Sequence, residues 1–429
     1  MISADGSPVA IAWNGDAVKA RVSGAPGATV SLAIDLRAPC QAPAAGNAWG
    51  SVGPVTVRAP SGQVIGDRPP ETLASAERGV QAPTDAGGRA SLVGRRLAQV
   101  ESGDRRVPAL WDIAGARDRS VGVVGWWCTW PAERVRGTMI SDFLFFASTR
   151  RLLELERVPE DTLRAGAVYP PEAARLVAAA MPARWELSAE ELGRFVPASS
   201  PRFGEYLAAP SRVGALTDPP IVVLKDTYLL NRPYFAVARQ LATSKQPDFL
   251  LVYTNLVDAV EHKFWRYYEP ARFAGVSPAD VADFGETIPR SYEYVDDELG
   301  RLLGALASDT VVVVLSDHGH HAAPDGGVFS GEHHDAPPGI LIVAGPGIRH
   351  GEVGGASLQD VTPTVLAAAG LPVARDFPGR VLPDVFATPP TPATVATYRD
   401  VPREATAPSA PSDVDPAVRE RLRALGYLQ

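Results

Sequence analysis

Four short, unbroken apolar runs constrain the fold most: residues 120–127 (SVGVVGWW), 249–255 (FLLVYTN), 310–315 (TVVVVL) and 340–344 (ILIVA). Runs of this length without polar alternation read as strands buried on both faces, the usual state of strands in a parallel sheet. Residues 221–224 (IVVL) read as a further strand, and residues 231–245 as an amphipathic helix. Strands alternating with helices imply an α/β protein whose mainly parallel sheet is covered by helices on both faces. Ligands of such sheets gather outside the carboxyl ends of the strands.

The flanks read differently. Residues 1–97 form a small β-rich and then irregular segment: alternating residues between 8 and 37 suggest short antiparallel strands, and residues 38–97 are linker-like, rich in Ala, Gly, Pro and Ser. The core spans 98–390, with helical cap insertions expected near 150–215 and 266–290. Residues 391–429 read as a Pro/Ala-rich tail that ends in a closing helix over 415–428.

Composition excludes several roles. A net charge of -8, with no dense Lys/Arg run, argues against a nucleic-acid binder. Arg105-Arg106 and Arg150-Arg151 read as parts of a solvated face. No apolar run reaches the roughly 20 residues needed to span a bilayer, and no basic-then-apolar leader opens the chain. Localisation and oligomeric state stay open. The two cysteines, Cys40 and Cys128, form neither a disulfide framework nor a metal knuckle. Both are expected as free thiols, with Cys128 buried.

All seven histidines lie between His262 and His350. Incidental histidines would be scattered, so this clustering points to a shared site. The first element, Asp258-Ala259-Val260-Glu261-His262, follows the run 249–255. A strand leading into a helix places Asp258 in the first turn and His262 four residues on, on the same face. The bland alternative is a helix-start Asp favoured by the dipole, beside a surface His. The second element, Ser316-Asp317-His318-Gly319, abuts the valine run and offers two ligands at the sheet rim. Taken alone it could be an ordinary turn. The third, Gly331-Glu332-His333-His334, offers His333 or His334, or is simply a polar loop. Together the elements offer two Asp and three His ligands. Oxygen and imidazole ligands suit zinc, with manganese or iron as alternatives. Five ligands exceed one tetrahedral zinc and approach what two divalent metal ions require, less one carboxylate and a nucleophile. Two such ions can clamp the attacking and leaving oxygens at phosphorus.

The order D-x3-H, S-D-H-G and G-x-H before Gly345-Pro346-Gly347 resembles the alkaline phosphatase superfamily, most closely its type I phosphodiesterase and nucleotide pyrophosphatase branch. The resemblance extends over about 98–429, through residues 107–114 (VPALWDIA), 122–133 (GVVGWWCTWPAE), 137–143 (GTMISDF), 360–373 (DVTPTVLAAAGLPV), 378–386 (PGRVLPDVF) and 422–428 (LRALGYL). It implies an alkaline phosphatase-like core and a hydrolase acting on a small-molecule phosphoester through two ions. Asp258, His262 and His333 would hold the first ion, with His334 as the alternative third ligand. Asp317 and His318 would hold the second. His320 and His321 match no ligand position and are expected at the rim or exposed, and His350 on the surface. In relatives a metal-activated Thr or Ser forms a phospho-enzyme, which water then hydrolyses.

The departure from the pattern lies at the front. Family members begin with an apolar strand ending in Asp-Gly, whose Asp binds the second ion, followed by the nucleophile at a helix start. Neither Asp5-Gly6 nor Asp16 ends an apolar strand, and Thr129 does not match the nucleophile position. The expectation is a chain that has lost this segment. The competing readings are a pseudoenzyme that binds metal or ligand without turnover, and a nucleophile supplied by residues 1–97 or a second chain. Other reactions of the superfamily are alternatives: phosphomonoesterase, phosphoglycerate mutase or sulfatase, the last lacking its C/S-x-P-x-R motif here.

Overall fold

The computed structural model describes residues 102–145, 166–181, 186–211, 218–324, 329–333 and 336–403. It also describes the backbone of five short strands within residues 10–68. The expected closing helix at 415–428, the pair Arg150-Arg151 and His334 lie outside the described residues. Of the five strands, β1 (Ala10–Trp13) pairs antiparallel with β2 (Val18–Arg21). Next comes β3 (Ile34–Asp35), and then β4 (Val55–Arg58) pairs antiparallel with β5 (Val64–Arg68).

The main sheet is built on β6 (Val121–Trp126), buried along its whole length. It is flanked in parallel by β7 (Gly137–Ser141) and β9 (Phe249–Val252), and the short β8 (Val168–Tyr169) adds antiparallel to β7. Helix α1 (Leu110–Gly115) packs on β6 from the amino-terminal side of the sequence. Near the end of β6 the register shifts between Val124 and Trp126. Gly125 there has φ 69°, a left-handed conformation that a side chain would strain.

Three short helices follow β8: α2 (Ala174–Ala180), α3 (Ala189–Gly193) and α4 (Phe203–Ala208). The long α5 (Pro220–Ser244) then crosses β6 and β9. This corrects the expected strand at 221–224, which is the first turn of α5. Pro219 and Pro220 start the helix, since a proline ring is preset for the first turn. A short apolar run cannot distinguish a buried helix from a buried strand by pattern alone. The later half is amphipathic as expected: Tyr234, Phe235, Val237, Ala238 and Leu241 lie in the core, while Gln240, Thr243 and Ser244 are exposed.

A second, three-stranded sheet centres on β10 (Val312–Ser316). Its neighbours are β13 (Leu341–Ala344), which is antiparallel, and β3, which is parallel. The strand expected at 340–344 is present as β13. Between β9 and β10 run α6 (Leu256–Tyr268), α7 (Pro278–Phe284) and α8 (Thr287–Leu303). After β10 a two-residue ladder joins β11 (His321–Ala322) to β12 (Gly331–Glu332), and α9 (Leu358–Ala368) follows β13. The whole is an α/β fold with a mainly parallel sheet.

Two readings of single residues change. Arg105 is not solvated: its side chain is 9% exposed and pairs with Asp112 at 2.7 Å and Glu133 at 2.9 Å. Cys128 is buried as expected, but it is disulfide-bonded rather than free, and its partner lies outside the described residues.

Candidate metal centre

The centre starts at the turn from β9 into α6. Asn231 of α5 holds this turn with both ends of its amide. Its Nδ2 donates to Asn255 Oδ1 at 2.9 Å, and its Oδ1 accepts from Thr254 Oγ1 at 2.7 Å and the Asn255 amide at 3.3 Å. All three residues are buried, and a fully satisfied buried amide fixes its partners. The first turn of α6 is thereby set, with Asp258 in it, where the helix dipole favours an acid. Asp258, Glu261 and His262, at spacings of three and four, share one face and are all buried. His262 Nε2 lies 3.4 Å from Asp258 Oδ1.

The loop carrying His333 closes over that face. His262 Nδ1 lies 2.7 Å from the Gly331 carbonyl oxygen, so Nδ1 carries the proton and Nε2 keeps its lone pair toward Asp258. Ser330 secures the approach by donating its amide to His262 O at 2.8 Å and its hydroxyl to Lys263 O at 2.9 Å. Only glycine fits next: a Cβ on Gly331 would stand 2.5 Å from the Glu261 carbonyl oxygen.

The end of β10 supplies the other side. The Ser316 amide donates to Ile340 O, and Ser316 Oγ accepts from the Ile340 amide, both at 3.0 Å. Beyond it the chain turns, with the Gly319 amide donating to Pro337 O at 2.7 Å. Asp317 and His318 sit at this rim, with Asp317 Oδ1 3.6 Å from His318 Nε2.

The expected residues converge in part. One group of mutually close donor atoms is Asp258, His318 and His333, and another is Asp258, His262 and His320; within each, the donors lie within 4.8 Å of one another. The rings of His318 and His333 stack at 4.3 Å, and those of His262 and His333 stand 5.1 Å apart. Asp317 belongs to neither group and lies beside its neighbour His318. His320 corrects the expectation of a rim position: its side chain is 2% exposed, with Nε2 3.1 Å from Asp258 Oδ1. Glu261 was also passed over, although its three-residue spacing from Asp258 was a readable signal. His321 turns instead toward Glu332, at 3.9 Å, and His350 is exposed.

A family model described as type I phosphodiesterase / nucleotide pyrophosphatase matches residues 103–359. The chain belongs to this family. Through it the chain belongs to the alkaline phosphatase superfamily. The matched span is more than half of the chain and contains every candidate ligand. No curated protein matches the chain.

The family is one of hydrolytic enzymes that generally depend on metal. The residues present in this family member fit a divalent ion. The buried Asp258 carboxylate faces the imidazoles of one small, partly buried cluster, and charged oxygens are costly to bury without a compensating cation. The mixed N/O donor set suits zinc, with manganese or iron also acceptable.

An apolar cavity of about 610 Å³ is not part of this centre. It lies between β9, β10 and α9, lined by Phe249, Leu251, Val313, Val343 and Val361. Thr129 is also set apart: it is fully buried and donates to the Trp126 carbonyl. Beside it, burial pushes the Asp142 carboxyl up to about 7.

Proposed function

We propose that this family member hydrolyses phosphate esters, of the phosphodiester or nucleotide pyrophosphate type, at a two-metal centre. The observation that carries the reading is the convergence of Asp258, His262, His318 and His333 from three separate chain segments. Asp258, His262 and His333 are assigned to one ion, and Asp317 and His318 to the other. Bound divalent ions would supply charge stabilisation to the phosphoryl group and to the attacking and leaving oxygens. The chain's own part is orientation. The Gly331 carbonyl holds His262 with Nε2 available, and the Asn231 amide holds the helix that presents Asp258.

The test is elemental mass spectrometry of the purified protein and of Asp258→Ala, His262→Ala and His333→Ala, with a chromogenic phosphodiester assay with and without chelator. The expected result is up to two ions per parent chain, chelator-sensitive turnover, and less metal in each variant. Full metal content in both Asp258→Ala and His333→Ala would overturn the site. Metal without turnover would overturn the hydrolase and leave a binding protein.

A further inference from the structure

Resting on the metal centre above, we propose that His320 is an additional ligand of that centre, held in its coordinating tautomer by Glu261. The two are joined at 2.9 Å between His320 Nδ1 and Glu261 Oε2. The other oxygen of Glu261 accepts from the Tyr292 hydroxyl at 2.9 Å, which fixes the carboxylate from α8. A carboxylate facing Nδ1 places the ring proton there and leaves the Nε2 lone pair facing the opposite way. That lone pair stands 3.1 Å from Asp258 Oδ1, closer than the 3.4 Å approach of His262. Two electron-rich atoms at this separation attract through a positive charge shared between them, either a metal ion or a proton.

The surroundings are those of a built site. His320 is buried, and Trp265 of α6 lies parallel to its ring within 21°, with centroids 6.3 Å apart. The rings of His262, His318 and His333 surround it at 4.9, 5.2 and 5.4 Å. Carboxylate, imidazole and metal in line are a recurrent arrangement in which the outer acid raises the basicity of the ligand. Here the chain supplies that arrangement twice around Asp258: His262 backed by a backbone carbonyl, and His320 backed by Glu261. In extended backbone, residues two apart line one face. The chain through Gly319 likewise brings His318 and His320 to the same cluster.

The competing role is a purely structural one, with His320 as an imidazolium bridging two acids. Zn²⁺ affinity by competitive titration, and the visible absorption spectrum of the Co²⁺-loaded protein, separate the two. His320→Ala is expected to weaken Zn²⁺ binding at least about 100-fold and to change the cobalt spectrum. Glu261→Gln, which keeps the ligand, is expected to weaken binding by about 10–100-fold. Unchanged affinity and spectrum in His320→Ala, with only a lower melting temperature, would overturn the proposal and leave the centre intact. A parent chain that binds neither ion would instead overturn the centre itself. Should His320→Ala fail to fold, His320→Asn and Glu261→Gln decide by the same two readouts.

Discussion

His262 Nδ1 and the Gly331 carbonyl oxygen meet at 2.7 Å across 69 residues of sequence, so the imidazole on the helix is tied to the loop that carries His333. The contact exists because residue 331 has no side chain. In Gly331→Ala the new methyl would collide with the Glu261 carbonyl oxygen, and the loop must withdraw from α6. The expected outcome is a loss of about 1–3 kcal/mol in stability, as for other overpacked sites, together with weaker metal binding. Chemical denaturation and metal titration check it. Unchanged values for both would mean that the loop can shift without cost.

Asn231 should matter as much without touching the ligands. Asn231→Leu removes the amide that serves Thr254 and Asn255, and leaves their buried polar atoms to find other partners. Each such orphan costs about 1–3 kcal/mol. Metal affinity is expected to fall with stability, because the first turn of α6 loses its anchor. A variant with full stability and full metal content would show that the turn holds itself.

Arg105 is the electrostatic keystone of the segment before β6. It serves Asp112 and Glu133 at once, and Trp111 Nε1 donates to Glu133 at 3.1 Å. Arg105→Ala strands two buried carboxylates, and breaking a buried ion pair from one side costs about 3–5 kcal/mol. Thermal and denaturant unfolding should show a large loss with metal content per folded chain unchanged, since none of these residues joins the cluster.

Asp142 predicts a pH dependence. Its carboxyl is raised by burial to about 7 in the folded chain, against an ordinary 3.8 when unfolded. Between these values the folded chain holds a proton that the unfolded chain has lost. The contribution to stability is therefore complete below about 4 and is lost as pH rises through about 7, at roughly 1.4 kcal/mol for each unit separating the two pKa values. Asp142→Asn should flatten that part of the stability profile. An unchanged profile would show that Asp142 ionises normally in the folded chain.

The sequence by itself determined the class of fold and the family, and it pointed to a shared site. Continuous apolar runs mark strands that must be buried, and histidines confined to their carboxyl ends mark a site, because both signals depend only on local composition and order. Asp258 and His262 were legible as a pair because helix geometry is local. Local pattern failed where burial came from partners far along the chain. Residues 221–224 form a helix because the neighbouring elements enclose an apolar surface all round it. Arg105 is buried because two distant acids receive it. Only the tertiary structure decided that His320 and Glu261 belong beside Asp258, and that β3 ends next to Ser316. Those contacts join segments separated by tens or hundreds of residues, and only packing determines which distant segments meet.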